Sequence, residues 1–270
     1  MNAKARAGWW VLGVMAAGAT QAGCSRIIEA PMAPVGLSVS FDGERSSGIY
    51  PTLLNELGAA IGCEFRIQRM PRARVQKMFE SGQADVLVPA SASPGRDADG
   101  EFVPLVQVRA SLITLSPGKA PPSLAELLAL RHYKLAVVRG FTFGTAYDQA
   151  IATLRAQRRL VEEPDAAGVA RALRQGLAQA SVMTANIFIG TLTKDADFAP
   201  LIKQVRVEAL EELGWSESGL YLSRHSLTDT DRRALRTALT QSARSGRVWQ
   251  LFNDSYPPGS LAGSIRPLLP

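Results

Sequence analysis

The stretch CEFRIQRMPRARVQKMFESGQADVLVPASASPGR, residues 63–96, decides the fold class. CEFRIQRM reads as a strand closed by Pro71. ARVQKMFESG places Val75, Met78 and Phe79 on one helical face, and Gly82 ends it. ADVLVPA is continuously apolar, as expected of a strand covered on both faces. Strand, helix, strand is the parallel crossover unit of an α/β layer fold. Parallel strands share one C-terminal edge, so MPRAR and PASASPGR follow two strands onto the same edge. In open α/β sheets that edge is where ligands bind. Arg72, Arg74 and Arg96 then become candidate donors to a carboxylate or phosphate, against the plainer reading of solvated helix-end charge.

The pattern extends both ways. Upstream, CSRIIEAP and GLSVSF read as strands, Asp42-Gly43 as a turn, and GIYPTLLNELGAAIG as a helix. Leu53, Leu54, Leu57 and Ile61 form its apolar stripe, and Gly62 stops it. Downstream, ASLITL (110–115) reads as a strand and SPGKAPPS (116–123) as a linker. The alternation then restarts with a helix SLAELLAL and a strand KLAVVRG. Helices follow over 145–160 and 167–176, then strands ASVMTAN and KQVRVEAL. GLYLSR (219–224) is a returning strand, and Thr228-x-x-Asp231 resembles a capping box ahead of a long helix. The expected division is an export signal over 1–22, a first unit over 23–112 resumed at 219–270, and a second unit over 113–218.

Lys4 and Arg6 precede the apolar run WWVLGVMAAGA, and Thr20-Gln21-Ala22 fits a small-x-small cleavage site. Removing those two charges from the net +6 leaves +4, a mild bias suited to an acidic ligand. There is no basic stripe interleaved with aromatics, so a nucleic-acid partner is not expected. No later stretch has the apolar length of a membrane span, so a soluble periplasmic monomer is expected. Export leads to an oxidising compartment, where Cys24 and Cys63 have three readings: a disulfide, two free thiols, or lipidation of Cys24 as an anchor. The echo between CSRIIEAP and CEFRIQRMP favours the bridge, since parallel neighbouring strands would bring both sulfurs to one edge.

Catalytic and metal chemistry find little purchase. His132 and His225 have no partners at ligand spacing, so neither a metal nor a cofactor is expected. No G-x-S-x-G, P-loop or G-x-G-x-x-G occurs. The remaining candidates sit in strand-end loops: MPRAR, PASASPGR with Ser91 and Ser93, RGFTFG with Thr142, and TAN with Thr184. Phe141 and Phe143 belong either to a pocket wall or to the core.

GIYPTLLNEL, PRAR, ESGQADVLVPASASPGRDADGEFVP, KLAVVRGFTFG and GLYLSR, in this order, resemble the extracellular solute-binding proteins of bacterial ABC importers, family 3, the polar amino-acid-binding type. Gly82, Asp85, Ser91, Ser93, Arg96 and the element Phe102-Val103-Pro104 stand at the family's motif positions, and the likeness spans about residues 25–256. The resemblance implies a periplasmic-binding-protein-like type II fold, with two α/β lobes joined by a two-stranded hinge and a small-molecule ligand between them. It also implies a permease or sensor partner. Arg96 matches the arginine that holds a ligand carboxylate, and Thr142 the residue of the second lobe that joins it. Thr184 stands where the family carries the acidic residue for an α-ammonium, which argues against a standard amino acid. The same fold also hosts a cyclohexadienyl dehydratase, and Glu44, Glu101 or Glu217 would have to supply its acid.

Overall fold

The computed structural model describes residues 23–115, 121, 123–210, 212–256, 261 and 263–268. The expected export segment and most of the 116–123 linker lie outside them.

The first lobe begins with β1 (Ile28–Glu29), the hairpin β2 (Ser40–Asp42) and β3 (Arg45–Ser47), α1 (Ile49–Ile61) and β4 (Phe65–Arg66). It continues through α2 (Arg72–Glu80), β5 (Val86–Ser91), α3 (Pro94–Asp99) and β6 (Gly100–Val108). The second lobe holds β7 (Ala110–Thr114), α4 (Leu124–Ala129), β8 (Leu135–Val138), α5 (Thr145–Ala156) and β9 (Leu160–Glu163). It closes with α6 (Ala166–Arg174), β10 (Ala180–Thr184), α7 (Ala185–Lys194) and β11 (Arg206–Ala209). The chain then returns through β12 (Ser216–Ser223), α8 (Asp229–Arg244), α9 (Arg247–Ser255) and β13 (Ile265–Pro267).

Two sheets result. The order β13-β6-β12-β5 is antiparallel throughout, and β11-β7-β10-β8-β9 is mixed, with β10, β8 and β9 parallel. β1 and β4 pair in parallel, and the Asp85 N–H donates to the Glu29 carbonyl at 2.8 Å, carrying the crossover on to β5. The continuous apolar run in β5 has a two-sided cause. Val86 and Val88 join the core under α1, α8 and α9, while Leu87 and Ala90 face Phe79 of α2 and Tyr221. In the second lobe Leu112, Val137 and Val182 join one cluster while Ile113, Val138 and Met183 join the opposite one.

The structure differs from the sequence expectation in several elements. β6 was not anticipated, because Pro104 lies inside it; the strand accommodates Pro104 opposite Gly219, where the register of β12 shifts. A Cβ on Gly219 would lie 1.9 Å from the Val103 carbonyl oxygen, so only glycine allows that approach. Of GLSVSF, Gly36–Val39 is bridge and turn, and only Ser40 and Phe41 enter β2. The chain passes between sheets at Arg109 and again over 210–215, a few residues before the expected boundaries at 112/113 and 218/219. The reason is the pairing: all of β7 ladders with β10 and β11, and β12 already pairs with Val108 at Ser216.

Cys24 and Cys63 form a disulfide with a Cα–Cα distance of 4.8 Å, at the edge set by the β1–β4 pair. A sulfur held in that bond is not free to carry a thioether-linked lipid. No described helix is long and apolar enough to cross a membrane.

Candidate functional site

Asp85, the acidic residue of the Gly82-x-x-Asp85 element, is 1% exposed and distant in role from any ligand. Its carboxylate accepts two bonds from Arg26, at 2.6 and 2.7 Å, one from the Ser226 hydroxyl at 2.5 Å and one from the Glu29 N–H at 2.7 Å. Burial pushes this carboxyl up, and the hydrogen bonds of Arg26, Ser226 and Glu29 outweigh burial, so it titrates below its ordinary value. It fastens β1, the start of β5 and the loop after β12 together, and thereby fixes the end of β5 where Ser91 stands.

Beyond that end lies a cavity of about 50 Å³ between the lobes, room for a few waters or a small molecule. Arg72, Ser91 and Arg96 line it from the first lobe, and Thr142 and Thr184 from the second. Phe141 and Phe143 both line it, stacked edge to face at 5.9 Å, and also pack on the second-lobe core.

The two arginines are held differently. Arg96 is 6% exposed; its Nε donates to Gln76 Oε1 at 2.9 Å, Nη1 to the Ser91 carbonyl at 3.0 Å and Nη2 across the cleft to the Gly140 carbonyl at 3.2 Å. Tyr221 braces the start of α3: its hydroxyl accepts from the Ser93 N–H at 2.9 Å and donates to Asp97 at 2.7 Å. Burial, and then the Asp97 bond, pushes the Tyr221 phenol up to about 12, so it remains a donor at any physiological pH. Arg72 begins α2 and is 3% exposed, and its Nε and Nη1 have no hydrogen-bond partner among the described residues. Burial first, and the neighbouring Arg96 charge second, push its guanidinium down to about 9. Both groups remain cationic at neutral pH. No Asp, Glu, His, Lys or Cys lines the cavity among the described residues.

Two expected site residues stand elsewhere. Arg74 follows Arg72 by two helical positions, which turns it to the far side of α2, and it is exposed. Ser93 precedes α3 as its N-cap, its backbone N–H bonds Tyr221, and it is not among the lining residues of the cavity. Thr142 lines the cavity, but its hydroxyl donates to Asp148 at 2.6 Å. Thr184 is the N-cap of α7 and makes no capping bond with its side chain. The N-termini of α2 and α7, at Arg72 and Thr184, thus open on the same space, where backbone N–H groups and helix dipoles favour an anion. Glu44 is exposed in the β2–β3 turn, Glu101 pairs with Arg236 and Arg232, and Glu217 is exposed; none lines the cavity.

Sequence reasoning missed the contributions of Ser38, Tyr50, Asn186, Ser218 and Phe252. Asn186 is 4% exposed with its Oδ1 unpartnered among the described residues, and its position two residues after Thr184 was the one available signal. The others come from segments brought to the cavity only by packing of the return segment on the first.

No known family model matches the chain, and no curated protein matches it. Solved structures do match in fold. A histidine kinase sensor domain with similarity to periplasmic binding proteins superposes with a TM-score of 0.69 at 16% identity, covering 90% of this chain and 99% of that one. An amino-acid ABC transporter substrate-binding protein from Streptococcus pneumoniae, bound to L-arginine, gives 0.67 at 16% identity over 85% and 93%. EhuB in complex with hydroxyectoine gives 0.67 at 14% identity over 88% and 92%. At these identities the likeness establishes the periplasmic-binding-protein-like fold.

Proposed function

We propose that this chain, which has the periplasmic-binding-protein-like fold, is an exported solute-binding protein that captures a small polar, carboxylate-bearing molecule between its two lobes. The observation that carries the reading is the pair of buried guanidiniums, Arg72 and Arg96, facing a small cavity that no acidic side chain lines among the described residues. Burying uncompensated charge is costly, and a bound anion offsets the cost. The lobes divide near residues 109 and 210–215, and ligand closes them on one another, as the Arg96–Gly140 bond across the cleft suggests. The captured molecule is handed to an ABC permease or read by a sensor; solved structures of both kinds share the fold.

A dehydratase on the same scaffold needs a general acid in the cleft. Burial pushes the Tyr50 phenol upward, away from acid chemistry near neutral pH, and the three glutamates considered stand off the cavity. A thermal-shift screen of carboxylates, amino acids and sugars tests the binding reading. A ligand at one hundred times its Kd should stabilise the protein by about 2.7 kcal/mol. Turnover of the stabilising compound would overturn the reading, as would stabilisation undiminished by Arg96→Ala.

A further inference from the structure

Arg96 and Arg72 present different hydrogen-bonding needs to the same cavity. A guanidinium carries five N–H donors. Arg96 has given three of them to Gln76, Ser91 and Gly140, so two remain for a ligand, enough for one carboxylate. Arg72 stands apart. It is 97% enclosed, and two of its three nitrogens lack an acceptor among the described residues. Its stem is held against the second lobe, since a Cβ on Gly140 would lie 3.3 Å from Arg72 Cγ. A buried cation of this kind costs stability unless an anion meets it. One carboxylate on Arg96 leaves that requirement unanswered.

We propose that the site takes a dianion: a short organic dicarboxylate, one carboxylate on Arg96 and the second on Arg72. The inference deepens the solute-binding reading and rests on it. Two further observations favour an organic skeleton over inorganic phosphate or sulfate. Apolar side chains supply most of the exposed wall, Val35, Val108, Phe141, Phe143, Phe252 and Ile265 among them, and they suit a carbon skeleton better than the outer oxygens of a tetrahedral oxyanion. The cavity, at about 50 Å³, suits a short skeleton. With no acidic residue lining the cavity among the described residues, a zwitterion is disfavoured, since its ammonium would lie beside two cations. Arg72 therefore sets the charge of the ligand, and Arg96 its anchoring.

The test is calorimetric titration of the mature protein with matched pairs: succinate and butyrate, glutarate and pentanoate, phthalate and benzoate, with L-glutamate and inorganic phosphate alongside. Wild type, Arg72→Met and Arg96→Ala are compared. At least one dicarboxylate should bind wild type roughly 30-fold or more tighter than its matched monocarboxylate, the size of effect a buried charge partner produces. Arg72→Met should bring that ratio to within about threefold. Arg72→Lys, which keeps the charge, should retain part of the preference. Equal binding of the matched monocarboxylate, tighter binding of phosphate or L-glutamate, or an Arg72→Met ratio like wild type would each overturn the dianion and leave a solute-binding protein anchored through Arg96. A protein that binds none of these probes would overturn the dianion and the carboxylate reading together.

Discussion

Arg72 works against the stability of the empty protein and for its affinity. Its folded pKa lies below the ordinary arginine value, so the cation is disfavoured in the fold at every pH below about 9. Replacing it with methionine, similar in length and apolar, should raise the stability of the ligand-free protein by about 1–3 kcal/mol while removing the preference for a dianion. Chemical denaturation without ligand checks the first half, and a lower midpoint than wild type would count against a buried uncompensated charge. Asp85 behaves oppositely. Its carboxyl is held below its ordinary value, so its contribution is present above the unfolded pKa of about 3.9 and is lost as pH falls through the lower folded value. Asp85→Asn should cost about 2–4 kcal/mol near neutral pH, reduced from a fully buried pair because Arg26 is partly exposed. It should also flatten the loss of stability below about pH 4, which denaturation followed against pH would show.

At the scale of elements, what was legible in the sequence was what local pattern controls. The βαβ unit over 63–96 appears as α2 and β5, with β4 much shorter than the strand read there. The capping-box pattern at Thr228 is half realised: Thr228 accepts from the Asp231 N–H at 3.1 Å, but the Asp231 carboxylate turns to the Ser25 N–H and hydroxyl instead. β6 escaped because Pro104 argues against a central strand until Gly219 is known to lie opposite. α7 was hidden because Thr184-Ala185-Asn186 continued an apolar strand run that ends where the helix begins. Arg159 is the clearest nonlocal case. It is 5% exposed, and its guanidinium donates to the carbonyls of Leu127, Leu128, Leu130 and Tyr133, closing the C-terminal end of α4. Nothing near Arg159 in sequence announces that role. Arg159→Leu should destabilise the second lobe by about 2–4 kcal/mol, since the buried Leu127 carbonyl and three half-buried ones lose their donor. Hydrogen exchange should then accelerate in 124–135 ahead of the rest.

For the molecule as a whole, the cavity residues legible in sequence were those on strand-end loops, Arg72, Ser91, Arg96, Thr142 and Thr184; Tyr50 and Phe252 arrive through packing of α1 against α9. The contact between lobes offers a direct test of closure. Gly190 lies in α7, where alanine would favour the helix by about 1 kcal/mol. Yet its added Cβ would stand 3.0 Å from the Leu37 N–H nitrogen and 3.2 Å from the Tyr256 hydroxyl, both on the opposite lobe. Gly190→Ala should therefore keep or raise the melting temperature without ligand and weaken ligand binding severalfold. Small-angle scattering should show a smaller ligand-induced contraction than in wild type.

The connectivity of the two sheets also sets a timetable. The five-stranded sheet uses one unbroken stretch, Ala110 to Ala209, whereas the four-stranded sheet needs β5 and β6 from before it and β12 and β13 from after it. Asp85 closes on Ser226 only once both have been made. A chain emerging N-terminus first can therefore complete its second lobe while the first still waits for its last segment. During that interval the apolar faces of β5 and β6 lack their central partner β12, and this is when the nascent protein is most exposed to aggregation and most in need of a chaperone. Pulse-labelled exchange during refolding should find β8 and β10 protected before β5 and β6.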